Sequence, residues 1–366
     1  MKRLAAVQVL RAAAALMVVL FHACQWSGVD FAVGAAGVDL FFVISGFVLW
    51  ASAEQRPPTP SEFLLARLRR VAPLYWIVTL AVFTLALWRP QALPIVHPQV
   101  RHLILSLLFA PHADPTGAPF PMLPPGWTLV YEAFFYIAFA LALAAPRDRR
   151  LQVLAGLLGA AALIGFGYHG WYTLLANPLL LEFLGGVGLA RLWTRGALLR
   201  RGRRGRPQGW FCILAGAAVL LALQVLGVRD DFWRPLLWGP PAVLIAAGAL
   251  LLQAGGRVGE GLATRALQGL GDASYSLYLV QAPVIAAFAW ATPGLAAPLR
   301  IVGGVGLALA AGLACHRLVE RPLMALLGAP GPKGAPGQPA AAGPEAGATA
   351  SPRSAQPDAR PAGARW

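Results

Sequence analysis

Ten apolar runs, each close to the length of a membrane-crossing helix, limit what this chain can become. They lie near 5–23, 34–52, 72–88, 128–145, 151–168, 174–193, 210–228, 236–254, 273–291 and 299–316, and arginine, proline or glycine clusters separate them. A hydrocarbon core about 30 Å thick is crossed by roughly 20 apolar residues of helix, and inside lipid the backbone must satisfy its own hydrogen bonds. The pattern predicts an all-α polytopic membrane protein, a bundle of about ten transmembrane helices. Composition agrees: 58% of the residues are hydrophobic and only 12% are charged, where a soluble domain carries about a quarter. A soluble enzyme is thereby excluded.

The net charge of +15 has a topological source. With the amino terminus placed inside, 24 of the 30 Lys and Arg residues fall on the inner side. Arg89, Arg101, Arg229, Arg234 and Arg300 fall outside, and Arg11 is embedded. This is the positive-inside bias. The expected location is the inner (plasma) membrane, multi-pass, with both termini cytoplasmic. A nucleic-acid binder would gather cations on a polar face, so no nucleic-acid partner is expected. Arg11 argues against reading the first run as a secretory signal. The stretch 101–110 is too short to span and reads as an outside interfacial segment, leading into a proline-dense loop from Pro111 to Pro125 over the mouth of the bundle. From residue 327 to 366 the chain turns to Pro, Ala, Gly and Ser, a composition that predicts a disordered cytoplasmic tail. Residues 1–326 form the membrane domain. Three scattered cysteines and six histidines show no metal-ligand spacing, so no metal is expected.

Ionisable residues at membrane depth are functional candidates. Arg11 and His22 are eleven residues apart, close to three full turns, so they share one face of the first helix about 16 Å apart. That suits a path with a fixed cation on the inner side and a titratable base on the outer side. The plainer alternative is a snorkelling arginine and an interfacial histidine. Asp39, at the outer start of the second run, is the expected partner of His22; Gly46 reads as a helix-packing position. Glu132, about a turn into the fourth run, needs a partner. Arg67 and Arg70 share a helical face and could bind phosphate in bidentate fashion, Pro73 shapes the entry to the third run, and Tyr75, Trp76 and Trp127 fit an interfacial belt. Glu182 reads as a counterion to an arginine, Asp272 as a helix cap and Glu320 as a partner for inner-side arginines.

Together these segments resemble the membrane-bound acyltransferase type 3 family, the O-antigen and exopolysaccharide O-acetyltransferase group. The resemblance rests on six motifs in order: Arg11 with His22; GVDLFFVISGF; the Arg67, Arg70, Pro73, Tyr75 segment; WTLVYE with Trp127 and Glu132; GDASYSLYL; and Glu320-Arg-Pro. It implies an O-acyltransferase that moves an acyl group, most often acetyl, from cytoplasmic acetyl-CoA or another acyl-CoA to a hydroxyl of a glycan or lipid-linked sugar. Arg11 and His22 match the family's paired essential residues. Asp39 and Glu132 join them as catalytic candidates, and Arg67, Arg70, Tyr75 and Trp127 are the candidate contacts to the acyl-CoA. His22 would serve as general base, or as nucleophile in an acyl-histidine scheme. The family often has a histidine two residues after SYSLYL, where this chain has Gln281. A fused esterase-like domain is expected to be absent. A proton-coupled transporter of a lipid-linked or small sugar is the alternative from another class.

Overall fold

The computed structural model describes residues 4–167, 177–204, 206–228, 233–256, 258–259 and 261–328. The expected tail lies outside these from residue 329 onward. The helices are α1 (Ala5–Trp26), α2 (Ala36–Gln55), α3 (Pro60–Trp88), α4 (Val100–Leu107), α5 (Trp127–Ala144), α6 (Arg150–Gly167), α7 (Leu180–Thr194), α8 (Ala197–Arg204), α9 (Arg206–Val225), α10 (Arg234–Leu237), α11 (Gly239–Ala254), α12 (Leu262–Asp272), α13 (Ser274–Ala291), α14 (Ala297–Cys315) and α15 (Arg321–Leu326). The described residues contain no strand.

Each of the ten apolar runs coincides with a helix, and 8 helical segments are long and apolar enough to cross a membrane. The fifth run is shorter at Arg150–Gly165, and the sixth is the 15-residue α7, its first residues outside the described part. The protein is an all-α polytopic membrane protein.

The third run is longer than expected. α3 is one helix of 29 residues because Thr59 and Glu62 form a reciprocal capping box and Pro60 occupies the first turn, where its missing N–H costs nothing. Pro73 therefore lies inside the helix instead of marking its entry, and the Arg67 to Arg70 stretch is helical.

α2 is the most enclosed of the spans. Its close partner is α7: a Cβ on Gly46 would meet the backbone carbonyl of Phe183, and one on Gly186 would meet that of Val43. Two glycines placed reciprocally let the backbones touch, the expected packing role for Gly46. Gly37 does the same for α2 against Ala14 of α1, and Gly271 for α12 against Gln8. The outer rows of α9 and α14 expose Leu221, Val225, Leu299 and Val302, as a lipid-facing surface requires.

The chain between α3 and α5 folds back onto the bundle. Tyr75, 1% exposed, donates to the carbonyl of Ser106 at 3.1 Å and stacks on Phe109 at 4.9 Å. The 101–110 stretch is thus packed against α3, and Tyr75 is buried there instead of lying in an interfacial belt; Trp76 keeps a lipid-edge position, with 39% exposed and Nε1 donating to Leu107 O. Buried His102 and His112 face each other, Nδ1 to Nε2 at 2.7 Å. The Nδ1 of His112 lies 2.8 Å from Ala110 O, and a carbonyl only accepts, so that nitrogen carries the proton and Nε2 accepts from His102. Burial, with His112 adding to it, lowers His102 to about 4.

Candidate active site

A crevice of about 940 Å³, part of it open to the surrounding medium, runs between α2, α3, α5 and α13. It follows α2 from Val38 to Leu49, about 16 Å of helix. Arg67, Arg70 and Tyr136 line the end nearer the start of α1; Thr128 and Tyr278 line the far end. There the hydroxyls of Thr128 and Tyr278 pair at 2.9 Å and both lie within reach of the carbonyl of Pro125 in the folded-back loop; with one proton each, one hydroxyl donates to that carbonyl and the other donates to its partner hydroxyl. Phe41 packs edge-on to Tyr278 at 5.8 Å.

Charge in this crevice is predominantly positive. Arg11 reaches it from α1 with Nε donating to Ser274 at 3.1 Å, and the charges of Arg70, Glu320, Asp272 and Glu132 all act on it. Arg67 lies over Phe63, 5.9 Å from the ring centre, and its buried Nε has no hydrogen-bond partner. Arg70 lies over Tyr275 at 5.3 Å. It donates to Glu320 at 2.5 Å, and Glu320 also accepts from Ser276 at 2.5 Å and bonds His316 Nδ1 at 2.8 Å. One 2% exposed carboxylate therefore fixes the rim arginine, as expected for Glu320. A π turn over His316–Glu320 supplies it.

Glu132 stands at mid-length and accepts from Ser45 at 3.2 Å and Tyr136 at 2.5 Å. The crevice thus unites four expected residues, Arg11, Glu132, Arg67 and Arg70. The other four are placed elsewhere. Tyr75 and Trp127 do not line it; Trp127 packs edge-on to Tyr131 at 5.6 Å. Asp39 is not the partner of His22. It is wholly buried and takes Arg234 at 2.7 Å, because α2 turns that residue away from α1 toward α10 and α7. Glu182, 3% exposed, lies in the neighbourhood of this pair, where both Asp39 and Arg234 act on it; its oxygens accept no hydrogen bond, so the arginine's direct counterion is Asp39. Asp272 ends α12 instead of capping α13, whose cap position is Ala273.

His22 lies beyond the crevice. Gly37 of α2 sits against Ala14 and Val18, which sets the far end, at Val38, between these two levels, and His22 is one to two turns further along α1. Its Nδ1 lies 2.9 Å from Val18 O. That carbonyl can only accept, so the proton resides on Nδ1 and Nε2 keeps its basic lone pair, the arrangement that fixes a histidine tautomer.

Sequence reasoning missed Tyr136, Ser274, Ser276 and His316 as partners. Tyr136 had a signal, four residues after Glu132 on one helical face. Arg234 had none, since 195 positions separate it from Asp39.

An acyltransferase domain model matches residues 4–317. The chain belongs to this acyltransferase family. The exopolysaccharide production protein ExoZ of Rhizobium meliloti is 38% identical over 313 residues, 83% of this chain and 94% of that protein. BcsY of Komagataeibacter xylinus, whose name proposes a membrane-bound transacylase, is 29% identical over 334 residues, 85% and 81% of the two chains. Protein 2 in the picA locus of Rhizobium radiobacter is 32% identical over 149 residues, 36% of this chain and 78% of that one. No solved structure matches.

Proposed function

We propose that the chain transfers an acetyl group from cytoplasmic acetyl-CoA to a hydroxyl of an exopolysaccharide or its lipid-linked precursor. The observation that carries this reading is the crevice with Arg67, Arg70 and Arg11 along its length, Arg67 having a buried Nε with nothing to bond. Guanidinium groups pair with phosphate oxygens in bidentate fashion, and acetyl-CoA carries its phosphates at one end and its thioester at the other. The cation excess on the amino-terminal side supports a cytoplasmic arginine rim, the side where this donor is made. The relative named for exopolysaccharide production supports the acceptor class.

In this mechanism Arg67 and Arg70 hold the phosphates at the rim while the acyl arm extends past Arg11 and Glu132 toward the Thr128 and Tyr278 end. Opening of that hydroxyl pair admits the thioester to the level of His22. The Nε2 of His22 takes the proton of the acceptor hydroxyl, whose oxygen attacks the thioester carbonyl. The C–S bond then breaks and the departing thiolate takes up that proton. Glu132, held by Ser45 and Tyr136, balances the arginine charge along the path.

The test is purified full-length protein in liposomes with acetyl-CoA and an oligosaccharide acceptor, measuring free thiol and acetyl ester. Thiol release should depend on acceptor and disappear in His22→Ala. Movement of unmodified sugar without thioester loss would overturn the proposal in favour of transport. Full transfer by His22→Ala would remove the base, and an acylated enzyme isolated without acceptor would select the covalent scheme.

A further inference from the structure

Gln281 is an amide with no partner in the middle of the protein. It is 0% exposed, and neither its Nε2 nor its Oε1 has a hydrogen bond. Leaving both ends of a carboxamide unpaired in an apolar interior is costly, and native proteins keep such a group where a ligand or water completes it.

The position of Gln281 says which. Ser274, which takes Arg11, and Gln281 are seven residues apart on α13, within about 20° of one face. That face is turned to α1, because Leu277 and Ile285 on either side of it pack in one cluster with Ala15 and Val19. The two helices run parallel, with Ser274 level with Arg11. Seven residues further along each, Gln281 is level with Val18, about one turn beyond Tyr278 at the crevice's far end and one turn short of His22. The amide therefore stands on the α1 and α13 seam between the arginine-lined crevice and the imidazole.

We propose that Gln281 binds the acyl arm of the donor on its way to His22, Nε2 donating to a carbonyl of the arm and Oε1 accepting from one of its amide N–H groups. The inference rests on the acyl-CoA reading above and names a contact within it. A secondary amide beside a thioester presents the donor and acceptor that this side chain lacks. The crevice itself ends at hydroxyls already paired with one another and with Pro125, so the next polar group along the seam is Gln281. Gln281 is thus a specificity-determining residue for amide-bearing thioesters.

The experiment uses the full chain in detergent with acetyl-CoA and oligosaccharide acceptor, comparing Gln281→Leu, Gln281→Asn and the parent. In Gln281→Leu the KM for acetyl-CoA should rise at least about tenfold, the size of two lost hydrogen bonds of modest net strength. The KM for acceptor should hold, and the thermal midpoint should stay level or rise because an unpaired buried amide is gone. Gln281→Asn should recover part of the donor KM. A donor KM within twofold of the parent in Gln281→Leu, or a loss confined to the acceptor KM, overturns the proposal. A collapse of Gln281→Leu folding also overturns it, by showing that the amide has a structural partner. If the parent itself consumes no thioester, the acyl-CoA reading has failed, a result separate from any of these.

Discussion

Replacing Glu320 tests whether one carboxylate holds the arginine rim in place. Its two oxygens serve three groups: Oε1 takes Arg70, and Oε2 takes Ser276 and His316. Glu320→Gln keeps the shape but turns one oxygen into a donor, so either Arg70 or the Ser276 and His316 pair faces a donor. Hydrogen bonds to charged groups contribute about 1.5–3 kcal/mol, and the loss should be about 2 kcal/mol. Glu320→Ala strands all three groups; breaking a buried pair by removing one partner costs about 3–5 kcal/mol. The Arg70 side chain is 31% exposed and can recover some hydration, which puts the expected cost near the lower limit, about 3 kcal/mol. The measurement is unfolding by denaturing detergent of Glu320→Ala, Arg70→Gln and the double variant, together with the KM for acetyl-CoA. The cycle should give a coupling above about 1 kcal/mol, and both single variants should raise the donor KM. A coupling near zero, with donor KM unchanged in Glu320→Ala, would refute the reasoning: the carboxylate would then neither stabilise the rim nor orient it.

The remaining predictions concern packing and pH. Gly46→Ala drives a methyl into the Phe183 carbonyl, which as backbone cannot step aside. It should cost about 1–3 kcal/mol, while Gly156→Ala, with nothing within 4 Å, should be neutral or stabilising; equal midpoints for the two proteins would contradict the α2 and α7 seam. His102 is neutral when folded, with a pKa lowered from 6.5 to about 4, so its contribution is present above 6.5 and is lost as pH falls from 6.5 toward 4. Protection factors, hydrogen-exchange rates corrected for the intrinsic pH dependence, should fall over residues 100–126 as pH drops across that window and lose the dependence in His102→Asn; a flat profile in the parent would count against it.

Much of the architecture was legible because length and apolarity are written directly in the chain. The ten runs became helices, and Arg11 lies on the face of α1 that meets α13, where it bonds Ser274. The start of α3 was misread because Arg67, Arg69 and Arg70 look like a connecting segment, although the Thr59 to Glu62 box marks a helix start three turns earlier. Asp39 was misassigned for a different reason. Nearness in sequence favoured His22, but the glycine seam with α7 sets the rotation of α2, and that rotation carries Asp39 to Arg234. Glu320 was read correctly as an arginine partner, whereas the particular arginine, Arg70, depends on how α3 and α14 meet. Local chemistry can be read along a chain; the azimuth of a tightly packed helix cannot, because it is decided by neighbours far away in sequence.

The wide turn at His316–Glu320 makes this part of the chain sensitive to length. Such a bulge carries one residue more than regular helix needs. Deleting a single residue there would restore a regular spiral and improve its backbone bonding, yet it would swing everything downstream by about 100°. The acid would then point away from α3. A local gain in regularity would cost the molecule its anchored rim, so the number of residues in this stretch matters as much as the identity of Glu320.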